Sequence, residues 1–131
     1  MTIKRLLLYL HDLEDKVIFN PTVQICKDFS SQLFVLYVLE ESRVAHIARL
    51  TRDKHDSIRQ RLEEEGWEML YLMEDEAVSG SVRTSLHLEE GSPVAVMKKF
   101  VDHYEIDALV VKRRDETKKL FIGSPIPVIG L

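Results

Sequence analysis

The side chains with chemical capability are few, and most follow apolar runs. His11 and Asp12 are adjacent just past Leu6–Leu10, with Asp15 one turn on. Such a pair can trade protons as an acid–base couple, or cap a loop by satisfying nearby amides. Glu40, Glu41, Ser42 and Arg43 follow a second apolar run, and Lys112, Arg113, Arg114, Asp115 and Glu116 follow a third. The stretch Lys112–Lys119 carries five basic and two acidic residues, which suits either a phosphate or acidic partner, or a solvated turn. His46 and His55 are too far apart for the three- or four-residue spacing of helical metal ligands. His87 alternates outward on a weak strand pattern, and His103 sits near a helix end that favours an imidazolium. No metal site is expected. Cys26, the one cysteine, lies a turn before Phe29 and reads as a small buried hydrophobe rather than a nucleophile. No nucleophile, base and orienting group can be assembled, so no catalytic residue is expected.

The elements that position these residues follow from hydrophobic periodicity. Leu6–Leu10, Leu33–Leu39 and Ala108–Val111 are short unbroken apolar runs, the pattern of strands covered on both faces; Ile126–Leu131, after Pro125, is a fourth. Val82–Leu88 alternates apolar and polar residues and predicts a half-exposed strand near a sheet edge. Val17, Ile18, Ile25, Cys26 and Phe29 mark a helix that either starts near Asp15 and is irregular at Pro21, or is capped by Asn20. The stripe Val44, Ala48, Thr51, His55, Ile58, Leu62, Gly66, Met69, Met73 and Ala77 predicts one long helix, or two joined at Gly66. Ser92-Pro93 starts a helix with Val94, Met97, Val101 and Tyr104 on its buried face. A last helix, Asp115–Ile122, is expected to turn Leu120 and Phe121 inward and stop at Gly123. Strands alternating with helices imply an α/β fold: a three-layer α/β/α sandwich on a five-stranded parallel sheet, doubly wound and Rossmann-like.

Composition bounds the function. A chain of 131 residues is expected to be one domain over 1–131, with 45% apolar and 31% charged residues. Its net charge of −4 has the wrong sign for a dedicated nucleic-acid binder. No apolar run reaches the roughly 20 residues of a membrane span. Met1–Arg5 leads straight into a strand pattern without a signal-peptide core, and a lone cysteine fits a reducing compartment, so a cytoplasmic location is expected. The segment Trp67–Met73 is apolar nearly all round and must be covered on more than one side, by the core or by a second subunit. The acidic triplets Glu63–Glu65 and Glu74–Glu76 around it read as solvated faces.

Three stretches resemble the universal stress protein family. Glu89-Glu-Gly-Ser-Pro93, a helix and then Tyr104-Glu-Ile-Asp-Ala-Leu-Val-Val111 are similar to the family's G-D-P, helix, A-D-L-I-V-M segment. Pro125-Ile-Pro-Val-Ile-Gly-Leu131 resembles its closing P-C-P-V-L-V-V strand. Leu6–Asp12 resembles its opening strand and following acidic residue, a place that His11 or Asp12 takes. The resemblance implies an adenine nucleotide alpha hydrolase-like fold and a homodimer, often paired through the last strand, here Val128–Leu131; the apolar pattern makes Trp67–Met73 a second candidate contact.

Family members that bind ATP carry G-x-x-G-x9-G-[S/T] after the fourth strand. Here Lys112–Ser124 offers only Gly123-Ser124, and aligning Lys118–Val128 with the last helix and strand removes the phosphate loop altogether. Without glycines, side chains block close backbone approach to a triphosphate. The expectation is a non-catalytic, dimeric stress-response module with no cofactor. The alternative is an atypical ATP- or AMP-binding regulator. In that case Asp12 stands at the first strand end, Val38 near the adenine, and Lys112, Arg113 and Arg114 near the phosphates.

Overall fold

The protein is described by a computed structural model over residues 2–131. Strands β1 (Arg5–Leu10), β2 (Gln32–Leu39), β3 (Thr84–Glu90), β4 (Ala108–Val111) and β5 (Val128–Gly130) pair in parallel in the order β3-β2-β1-β4-β5. Their alternate residues feed two cores, as period-2 geometry requires. Leu6, Leu8 and Leu10 face α1 (Phe19–Phe29) and α3 (His55–Ser79); Leu7, Tyr9 and Leu36 face α4 (Pro93–His103) and α5 (Lys118–Gly123). Because both faces are covered, β1 and β2 had to be apolar without interruption. A small third cluster packs α2 (Glu41–Thr51) on α3 through Val44, Ala48, Ile58 and Leu62. The three-layer α/β/α architecture is the expected one, and β3 is an edge strand as its alternation predicts.

Several local expectations change. The first crossover opens with a 3-10 segment, Leu13–Ile18, capped by Asp12, so the α-helical part begins at Phe19. Asn20 is therefore not a cap, and Pro21 lies in the first turn of α1, where its missing N–H costs nothing. The second crossover is two helices, but the break falls at Arg52, in left-handed conformation (φ 60°), and not at Gly66. Thr51 and His55 accordingly leave the buried stripe and are exposed. β3 sits two residues later than expected, because the Val82 N–H donates to the Ala77 carbonyl in closing the end of α3. β5 is narrower than Ile126–Leu131. Ser92 caps α4 by position only, without a side-chain hydrogen bond. Phe121, expected inside, is 40% exposed because the six-residue α5 can turn only one face to the sheet, and Leu120 takes it.

Gly66 sits at the close approach of α3 to the sheet. A Cβ there would come within 2.8 Å of both Leu88 Cδ1 and the buried Tyr37 ring. Trp67–Met73 divides around it: Met69, Leu70 and Met73 are fully buried, whereas Trp67, Tyr71 and Leu72 are exposed. His87 does not simply point outward. It is half-buried and packs on Phe34, Phe100 and Tyr104 at ring separations of 6.3, 5.0 and 5.2 Å, with Ser85 Oγ 3.1 Å from its Nε2.

Two outcomes follow from this packing. Gly66→Ala gains helix propensity of about 1 kcal/mol that offsets part of the clash. Gly66→Val has no such relief and is expected to lose about 3 kcal/mol in urea unfolding; equal stability of the Val variant and the parent would refute the close approach. Burial lowers the pKa of His87, only partly opposed by Glu89. The unfolded imidazole, at about 6.5, then takes up protons before the folded one. The stability tied to a neutral His87 is present above that pH and is lost as pH falls through it towards the depressed folded value. His87→Phe should flatten the fall in urea midpoint between pH 7 and pH 5, and an unchanged slope would remove His87 from that dependence.

Candidate functional site

The strand order reverses between β1 and β4, since β2 and β3 build outward on one side and β5 on the other. Crossovers leaving in opposite directions open a crevice at the carboxyl ends of these two strands, which is where parallel sheets bind ligands. It measures about 590 Å³ and is lined by His11 and Asp12 after β1, Glu40, Ser42, Arg43 and His46 around the start of α2, and Asp115, Glu116 and Lys119 after β4. Its lining carries four carboxylates against two cations.

Beneath the crevice lies a buried ion network. Asp15, 1% exposed, accepts the backbone N–H groups of His11 at 2.8 Å and Asp12 at 3.1 Å with one oxygen. Its other oxygen pairs with the Arg114 guanidinium. Arg114 also holds both oxygens of Asp12 at 3.0 Å and Glu14 at 3.2 Å. Asp12 in turn accepts the Glu14 N–H at 2.9 Å, which completes a reciprocal cap with Asp15. Burial pushes the Asp15 carboxyl up, and the two amides and the guanidinium pull against that push. His11, wedged between these groups with Nδ1 3.4 Å from Arg114, is held below the usual histidine range, chiefly by burial. Arg43 adds a second tie, donating to the His11 carbonyl at 2.6 Å and standing 3.8 Å from Glu65.

The chain after β4 is a tight turn. The Thr117 hydroxyl, buried, donates to the Lys112 carbonyl at 2.7 Å and accepts the Arg114 N–H at 3.2 Å. A 3-10 turn, Asp115–Thr117, then runs directly into α5. Arg114 is thereby aimed down at Asp15, while the Arg113 stem runs along β5, against Gly130. The candidate residues thus part company. Asp12 and Arg114 meet in an ion pair. Lys112 and Arg113 stay outside the crevice lining. The Val38 side chain, 1% exposed, is sealed in the core on the α4 side and does not line the crevice. The two lysines at the end of the basic stretch are paired: Lys118 with Asp115 at 3.1 Å and Lys119 with Glu40 at 3.4 Å. Thr117, which pins the turn, and Tyr37, whose hydroxyl stands 3.4 Å from Arg43 Nη1, carry no sequence signal of a role at the site. The spacing Asp12-x-x-Asp15 after a strand was the available sign of a cap.

A slightly larger concavity, about 670 Å³, lies at the other end of the sheet, lined by Lys4, Lys27, Arg83 and neighbours. The carboxyl ends of α1 and α3 point into it, and cations there match the negative ends of the helix dipoles. Among the described residues no cluster of histidine, cysteine and carboxylates could hold a metal ion, and no helix is long and apolar enough to cross a membrane.

Comparisons with known proteins bear on this geometry. The model of the universal stress protein family matches residues 4–126. No curated protein matches the chain. Among solved structures, a protein of the universal stress protein family from Burkholderia pseudomallei superposes with a TM-score of 0.81 at 12% identity, covering 98% of this chain and 96% of that one. The universal stress protein of Archaeoglobus fulgidus in complex with dAMP gives 0.72 at 15% identity, over 99% and 98% of the two chains. A universal stress protein family protein of Arabidopsis thaliana with AMP bound gives 0.72 at 14%, over 98% and 90%. At these identities the likeness establishes the fold alone.

The ion network makes a direct prediction. Arg114→Met leaves the Asp15 charge buried without its counter-ion and should cost about 3 kcal/mol in chemical unfolding. Adding Asp15→Asn, whose amide oxygen can stay on the two N–H donors, should recover much of that loss. A single Arg114→Met variant as stable as the parent would show that Asp15 needs no counter-charge.

Proposed function

The chain belongs to the universal stress protein family, and we propose that it is a non-catalytic member that works in stress regulation by docking protein partners rather than by binding ATP. The single observation behind this is the position of Arg114. The cation nearest the switch point is committed to Asp12 and Asp15, and the turn after β4 contains no glycine to bring backbone N–H groups to a polyphosphate. The carboxylates of Asp12, Glu40, Asp115 and Glu116 facing the crevice oppose a triphosphate further. The residues present therefore do not fit ATP. The crevice hydroxyl, Ser42, donates to the Glu40 carboxylate at 3.4 Å, and among the described residues it has no hydrogen bond to an imidazole of the kind that activates a nucleophile.

The homodimer belongs to the same proposal. β5 is an edge strand of three residues; Val128 and Ile129 in it, and Leu131 just after it, are half-buried. An unpaired edge of this kind is completed by pairing with a two-fold mate.

A second reading has one observation in its favour: two fold neighbours carry AMP or dAMP. A single phosphate needs a smaller cradle than a triphosphate, and Arg43, His46 and Lys119 line the crevice. Calorimetric titration separates the readings. With ATP, ADP and AMP as separate ligands, the proposal expects no saturable heat tighter than about 1 mM. Micromolar AMP binding would establish the second reading, and micromolar ATP binding would overturn the first outright.

A further inference from the structure

Helix α3 breaks a local electrostatic rule over more than half its length. Between Arg61 and Arg83 the sequence has seven acidic residues and no basic one. Several of them, Glu74, Asp75 and Glu76 among them, crowd the carboxyl-terminal part of the helix, where the dipole favours cations, and the last turn carries none. Glu64 and Glu68 also repel one another at i, i+4. Only Glu65 is compensated, by Arg43; among the described residues Glu63, Glu64, Glu68, Glu74 and Asp75 have no ion-pair partner. Lys27 and Arg83 stand near the end of the helix, but among the described residues no cation covers these outer carboxylates, and a cost left unrelieved in this way points to function.

An acidic face alone is a solvated face. This one also carries an aromatic stripe. Met69, Leu70, Met73 and Ala77 face the core, which leaves Trp67, Tyr71 and Val78 along the outer side, 38%, 56% and 68% exposed. The Trp67 and Tyr71 rings stand together, 5.8 Å apart and tilted by 31°. At 3.6 residues per turn, Glu63 and Glu74 flank this stripe on one side, and Glu64, Glu68 and Asp75 flank it on the other. Exposed tryptophan and tyrosine are the residues that anchor interfaces, and their ring faces attract cations.

From this surface we infer that α3 is the docking site for a Lys/Arg-rich segment of a partner protein, its cations meeting the flanking carboxylates and its apolar side chains covering Trp67 and Tyr71. Charge selects this occupant. In a two-fold contact through the same face, a second copy of the chain would set carboxylates against carboxylates. The stripe from Glu64 to Val78 is about 21 Å long, so a helical segment of about 14 residues spans it. The inference deepens the docking reading by naming its surface and the chemistry of the partner.

Trp67 is the only tryptophan, so its emission reports this surface and no other. The probe is an amphipathic Lys/Arg/Leu helical peptide of about 14 residues, and the control is the same peptide with glutamate in place of its cations. The expected result is a saturable shift of emission with the cationic peptide only, weakened at least about tenfold by high salt. Glu64→Gln/Glu68→Gln and Tyr71→Ala should each weaken binding by about tenfold without lowering the unfolding midpoint. No shift, an equal response to the acidic control, or full binding by the charge-neutralised variant overturns the inference. So does a Trp67 emission that changes with protein concentration alone, which would assign the face to a second copy. A failed peptide titration with the crevice still closed to nucleotide removes this surface alone. Nucleotide binding removes the docking reading, whatever the peptide does.

Discussion

A carboxylate buried at the end of a parallel strand must find its counter-ion nearby, and much of this molecule is arranged around that requirement at Asp15. Its oxygens close the first turn after β1 by accepting two backbone N–H groups, and its charge is balanced by a guanidinium delivered from β4. The same guanidinium ties Asp12 and Glu14. The two strands that flank the switch point are thus clamped by one side chain at the place where the fold would otherwise open. A short, glycine-free turn after β4, pinned by Thr117, is what delivers Arg114 there. The clamp commits the Arg114 charge to two aspartates below the crevice, which is why the geometry of one residue bears on the functional reading.

The two faces of the sheet are unequal in what they leave outside. α4 and α5 present short amphipathic helices, with Met97, Phe100 and Leu120 turned in. α3 is longer, and the glycine at its centre lets it lie close on Tyr37 and Leu88. That close seat goes with one side of the helix being fully buried, while the aromatic residues on the opposite side stand in water among carboxylates.

Much of the fold was legible because both faces of the sheet are buried. Leu6–Leu10 and Leu33–Leu39 could be apolar at every position only in strands of that kind, and the alternation from Val82 onwards could only belong at an edge. Less legible were features set by neighbours. Gly66 looks like a helix breaker in isolation, but inside α3 it is a packing residue; Arg52, which breaks the helix pair, carries no propensity signal for a left-handed turn. Phe121 has the hydrophobicity of a core residue, and a six-residue helix has no second buried face to give it. Val38 does not line the crevice, and strand register, which no local pattern sets, decides which of two adjacent apolar residues faces which core.

The family resemblance followed the same division. Short stretches around Pro93, Asp107–Val111 and Pro125 were enough to suggest it, since they punctuate strands and helices in a fixed order. The sequence alone determined the alternating strands and helices, the buried stripes, the missing glycines after β4 and the long acidic run on α3, because these depend on residues close together along the chain. Only the tertiary structure decided that Arg114 is a clamp rather than a free cation, that Lys112 and Arg113 stand apart from it, and that Trp67 and Tyr71 share one exposed stripe. The Arg114 pairing joins residues 102 positions apart, and the pairing of a charge is set by what the fold brings within a few ångströms of it.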